Sequence, residues 1–196
     1  MVIAVKSGFS KTDTDSRYRI GMWVAIAGVL MLFTSLTSAY IVRAASSNDW
    51  QPLSMPRILL LSTALIAVSS GTLEAARRYL KARNETWFFR WLGASILLGT
   101  AFLLSQALAW RQLARAGVYL ATNPHSSFFY LLTATHGVHL IGGLVALGYL
   151  WMRSLKPLGN KRAAAGRQLA ADAVTLYWHV MDGLWIYLFL LLFLWR

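Results

Sequence analysis

Five stretches of the chain are almost unbroken in apolar residues, and polar residues gather between them. The stretches run Ile20–Val42, Pro56–Ala76, Trp91–Trp110, Phe128–Met152 and Ala173–Trp195. Each is long enough for a helix to cross a hydrocarbon layer about 30 Å thick, which takes about 20 residues. Backbone N–H and C=O groups inside lipid must bond within their own segment, so the pattern predicts helices. The predicted fold is all-α, an integral membrane bundle of five transmembrane helices over residues 20–196. Residues 1–19 form a polar N-terminal arm, with Thr12–Ser16 as a helix-start signal. The first apolar run is too long for a signal-peptide core, and Ser38-Ala39-Tyr40 is only a weak cleavage cue.

Charge sets the expected orientation. Of the 19 Lys and Arg residues, fourteen fall on the N-terminal arm and the second and fourth connections, and five on the opposite side. The positive-inside rule then puts the N-terminus in the cytoplasm and the C-terminus outside. This collar accounts for the net charge of +12, with anionic lipid headgroups as its counter-surface and no need for nucleic acid. Hydrophobic residues make up 57% and charged residues 13%, which excludes disorder and an ordinary soluble domain. Cysteine is absent, so disulfides, zinc–thiolate sites, iron–sulfur clusters and thiol nucleophiles are excluded. The four prolines stand at segment ends or in connections, unlike the broken helices of many secondary transporters.

Ionisable groups within apolar segments are costly, so they are the candidates for function. His136 and His139 lie in the fourth segment, and His179 and Asp182 in the fifth. Each pair is spaced i,i+3 and shares a helix face. Three readings stay open: a hydrogen-bonded network that locks two helices, a metal or haem site, and a proton relay. A haem would need one imidazole from each helix. For a relay, no chain of titratable groups is seen to continue from Asp182 and His179 to either surface. Glu74 stands three and four residues before Arg77 and Arg78, which predicts an ion pair at the cytoplasmic end, with a proton-handling carboxylate as the alternative. Trp178, Asp182 and Trp185 make a stripe on one face, the form of a packing surface.

Close helix approach is expected at Ser35/Ala39, Ala67/Gly71, Ser95/Gly99 and Gly142/Ala146. Interfacial anchoring is expected of Trp23, Trp50, Trp87, Trp91, Trp110, Trp151 and Trp195. No hydrolase triad, phosphate-binding glycine loop or pair of catalytic carboxylates is found. Residue chemistry alone leads to a five-helix membrane protein with a buried His/Asp cluster and no named reaction.

Several motifs resemble subunit III of haem–copper oxidases, the cytochrome c oxidase type. They are the first-helix stretch Met31–Arg43, Ser-Ser-x-Thr-x-Glu-x-Ala at Ser69–Ala76, the aromatic run Phe128-Phe129-Tyr130 leading to His136-Gly137-Val138-His139, and Tyr177-Trp178-His179-Val180-Met181-Asp182-Gly183-Leu184-Trp185. The last is the most specific. The chain resembles the bacterial five-helix form, which lacks the first two helices of the seven-helix form.

The resemblance implies a non-catalytic subunit of a proton-pumping terminal oxidase in the bacterial inner (plasma) membrane. It implies no catalytic, cofactor or metal residue on this chain, with haem and copper in partner subunits and phospholipid bound. His136, His139, Trp178, His179, Asp182 and Trp185 would then be structural. The implied partners are oxidase subunit I as the main contact, subunit II and a small subunit IV. The implied contribution is stabilisation of subunit I and support of proton uptake while electrons pass from cytochrome c to oxygen. The alternatives are subunit III of a quinol oxidase, an accessory protein of nitric oxide reductase and, in a different class, a lipid or small-solute transporter.

Overall fold

A computed structural model describes residues 11–46, 56–155 and 161–194, with the side chains of residues 11–19, 161 and 162 left out. Trp50 and Trp195, two of the expected interfacial anchors, lie outside the described residues, as do Pro52 and Pro157. The basic side chains of the N-terminal arm, those of Lys6, Lys11, Arg17 and Arg19, lie outside them too.

Five helices make up the fold: α1 (Lys11–Ser46), α2 (Ile58–Lys81), α3 (Glu85–Arg115), α4 (Pro124–Ser154) and α5 (Lys161–Leu194). No strand occurs among the described residues. All five helices contain a span long and apolar enough to cross a membrane.

The helices outrun the apolar segments that predict them. α5 begins twelve residues before Ala173, in a stretch that reads from the sequence as connection. Its Ala163-Ala164-Ala165 and Ala170-Ala171 are strong helix formers, and no proline interrupts them. α1 begins at Lys11, so the second half of the polar arm continues the first membrane helix. Boundaries fall where the chain has capping chemistry. Asn84 accepts from the Trp87 amide at 3.3 Å and opens α3. Asn123 and Ser126 form a reciprocal capping box at α4, with Pro124 in the first turn. Between α2 and α3, Arg83 takes a left-handed conformation (φ 57°) that turns the chain sharply.

The helices α2, α3, α4 and α5 close a ring of neighbours, with α5 returning to α2. Among the described residues, α1 packs on α4 and α5 from outside and meets neither α2 nor α3. Hydroxyls tie α2 to α3: Ser69 Oγ donates to the Ser95 carbonyl at 3.2 Å, Thr72 and Ser95 hydroxyls meet at 2.8 Å, and Ser105 donates to Ser62 at 2.9 Å. Small side chains permit this approach where lipid offers no hydrophobic drive.

At the centre of the ring Trp178 is fully buried, wedged between two glycines. A Cβ on Gly99 would lie 2.8 Å from its ring, and one on Gly143 3.1 Å. Of the small pairs expected from the sequence, Ser95/Gly99 lies at an interface. Ser35, Ala39, Ala67, Gly71 and Gly142 are exposed, and Gly143 does what the spacing assigns to Gly142. Spacing of small residues shows that a backbone can be approached, not which face has a neighbour. Among the tryptophans, Trp23 and Trp87 are exposed, while Trp110 donates to Thr133 Oγ1 at 3.2 Å and joins α3 to α4. Trp151 packs edge-on against Phe89.

Candidate functional site

The fifth-helix motif sorts its residues by helical angle. Trp178, Met181, Asp182 and Trp185 are buried, whereas His179 and Gly183 turn outward. Trp185 donates from Nε1 to Thr63 Oγ1 of α2 at 3.1 Å. Toward the basic end of the bundle, His179 Nδ1 bonds to Ser70 Oγ, and His179 Nε2 stands 4.0 Å from Glu74 Oε2.

Glu74 is held on both oxygens. Arg77 donates to them at 2.8 and 2.9 Å, and Arg78 adds a contact at 3.0 Å. These are the two ion pairs expected from the sequence. Arg77 also reaches across to Asp172 Oδ1 at 3.1 Å, where Lys81 stands at 3.5 Å and Gln168 donates at 3.2 Å. Beside this cluster the buried Arg167 donates to Glu85 at 3.1 Å, linking α5 to the start of α3. The α2/α5 contact is therefore a polar seam from Thr63 to Lys81.

This seam corrects the expectation that no run of titratable groups leaves His179. The run exists because α2 supplies alternate members. Ser70, Glu74, Arg77 and Lys81 lie at helical spacing on α2, and Asp172 and His179 lie seven residues apart on α5. Asp172, Thr63 and the Arg167–Glu85 pair do not stand out in the sequence, and Ser70 lies in the Ser69–Ala76 motif with nothing there to point it at His179. The periodicity that would reveal the seam spans two helices and needs their register.

His136 lies elsewhere, in an aromatic box. Its ring centroid is 5.3 Å from Trp185, 6.0 Å from Phe102 and 6.3 Å from Phe33. It is fully buried, and neither ring nitrogen has a hydrogen-bond partner. His139 bonds through Nδ1 to the Thr135 carbonyl at 2.8 Å, within its own helix, and packs on Phe33. Tyr177 donates to the His139 carbonyl at 2.9 Å and joins α5 to α4. Asp182 is 4% exposed, and neither carboxyl oxygen is bonded. Ser70 lies beside it, but the Ser70 hydroxyl is engaged with His179.

No hydrogen bond therefore joins His136 or Asp182 to the other polar members of the two motifs. Of each i,i+3 pair, one imidazole is taken up by a nearer hydroxyl or carbonyl, His179 by Ser70 and His139 by Thr135, and its fellow, Asp182 or His136, bonds nothing. Among the described residues, no three His, Asp or Glu side chains are grouped as metal ligands would be. Chemically, the arrangement can bind helices together and can hand a proton between neighbouring groups.

The family model described as cytochrome c oxidase subunit III matches residues 4–196. The probable cytochrome c oxidase subunit 3 of Mycobacterium tuberculosis is 29% identical over 195 residues, covering 97% of this chain and 94% of that protein. The cytochrome c oxidase subunit 3 of Bacillus sp. PS3 is 28% identical, covering 89% and 84%. That of Synechocystis is 30% identical, covering 83% and 69%.

Proposed function

Since the chain belongs to the cytochrome c oxidase subunit III family, the non-catalytic third subunit of haem–copper oxidases, we propose that its bundle is a redox-inert scaffold that holds subunit I and sustains proton uptake. It is a multi-pass plasma-membrane protein and works in a complex with other oxidase subunits. In this reading subunit I is the main contact, subunit II and a small subunit IV complete the assembly, and the basic end faces the cytoplasm. Electrons pass from cytochrome c to oxygen through haem and copper in the partners, with no cofactor held here.

One observation carries the scaffold reading: the motif side chains engage neighbouring helices individually. Trp178 fills the gap between Gly99 and Gly143, Trp185 bonds Thr63, and His179 bonds Ser70. In this reading the bundle also holds bound phospholipid, which a groove of about 320 Å³ between α1 and α5 supports. Its lining of Leu30, Phe33, Val180, Leu184 and Tyr187 suits an acyl chain.

The test is affinity purification of the tagged chain from its native membrane, followed by a visible spectrum. The expected result is co-purification with a larger haem-bearing subunit, and no haem absorbance once this polypeptide is separated. Stoichiometric haem on the separated chain, or purification of the chain alone, overturns the proposal.

A further inference from the structure

Asp182 is a buried carboxyl with no bonded partner, one helical turn from an imidazole that touches a charged cluster. Among the described residues no cation contacts it to compensate a charge. The groups around it are few. On α5 they are His179 and, further along, Asp172. On α2 they are Ser70, Glu74, Arg77, Arg78 and Lys81. α4 contributes His136 and His139, both turned to aromatic neighbours, and the α1 residues lining its groove with α5 are Leu30, Phe33 and Thr34.

We propose that the α2/α5 seam is a proton-exchange path that connects Asp182 to the basic end of the bundle through Ser70 and His179, beside Glu74. A proton from the surface binds His179 Nε2 beside Glu74, whose carboxylate its two arginines keep ionised and which steadies the charged imidazole. The imidazole releases its Nδ1 proton to Ser70 Oγ, and Ser70 passes its own hydroxyl proton to the Asp182 carboxylate. The serine hydroxyl is restored, the imidazole is left as the other neutral tautomer, and no electron moves. Two small motions complete the path. His179 must close the 4.0 Å gap to Glu74, and the Asp182 carboxyl must close on Ser70, whose Oγ keeps its bond to His179 Nδ1 and points its hydroxyl hydrogen at the carboxyl, so that both protons move together. The inference goes beyond the scaffold reading and does not depend on which partners surround the bundle.

The experiment is infrared difference spectroscopy of the purified complex transferred from H₂O to D₂O. Asp182→Asn identifies the carboxylic C=O band of Asp182. In the unaltered complex that band shifts well before the buried amides of α5 exchange. Ser70→Ala slows the shift by on the order of a hundredfold, the scale of a positioned proton-transfer group, and Ser70→Thr restores it. If Ser70→Ala does not assemble, His179→Gln decides, since an amide can bond Ser70 but cannot relay a proton; it too must slow the shift. Unchanged exchange in these variants, a band as slow as the buried amides, or no protonated Asp182 band at all overturns the proposal. Any of these leaves membership of the family untouched, because co-purification tests that separately.

Discussion

His136 and His179 are imidazoles inside one helical bundle, yet their surroundings are opposite in kind. His136 is fully buried among Phe33, Phe102 and Trp185, with both nitrogens unbonded. His179 keeps a side-chain exposure of 40%, bonds Ser70, and stands beside a carboxylate held by two arginines. The first region is packed by the shape of its rings, and the second is held by hydrogen bonds and ion pairs. The difference teaches that a membrane histidine takes its role from the facing helix. An aromatic neighbour makes it a packing ring, and a hydroxyl makes it a link.

The largest effect is expected where shape alone governs. Gly99→Leu drives a side chain into the rigid Trp178 ring, 2.8 Å from where its first carbon would stand. Overpacking of this kind costs about 3 kcal/mol. The denaturation midpoint of the purified complex should fall clearly. Gly142→Ala, whose added carbon meets nothing within 4 Å, should hold it or raise it slightly, since alanine favours helix over glycine. Equal effects from the two would show that the Trp178 wedge does not hold the bundle.

Next comes the charged end of the seam. Arg77→Ala removes contacts to Glu74 and Asp172 together. Arg77 is partly exposed, so solvent screens part of the loss, and about 1–2 kcal/mol is expected. Arg78→Ala, at a side-chain exposure of 76%, should cost much less. A comparison of midpoints at low and high salt checks the assignment, because salt should narrow the gap between Arg77→Ala and the unaltered protein.

Five apolar runs bounded by basic connections are enough to read five helices, because hydrocarbon thickness fixes their length. The Glu74 ion pair is legible for a similar reason: three- and four-residue spacing needs only one helix. What cannot be read depends on rotation of one helix against another. Gly142 and Gly143 are equivalent in the sequence, and only the place of Trp178 separates them. Ser70 sits inside a recognised motif, yet its bond to His179 crosses 109 residues. The start of α5 escapes a hydropathy reading because lysine, arginine and alanine together look like a polar connection, although alanine favours helix wherever a hydrophobic face is not required.

The smallest expected effects are the sharpest test of the two imidazoles. His179→Phe keeps a ring but loses the bond to Ser70, and a cross-helix bond of this kind in a membrane is worth about 0.6 kcal/mol. His136→Phe keeps a ring in an aromatic box and deletes two nitrogens that bond nothing, so its midpoint should change by less than about 1 kcal/mol in either direction. The two variants separate in a double-mutant cycle with Ser70→Ala. Coupling is expected for His179 and absent for His136, since only the first touches Ser70. Coupling between His136 and Ser70 would mean that the aromatic box and the polar seam form one network, and the contrast between the two regions would fail.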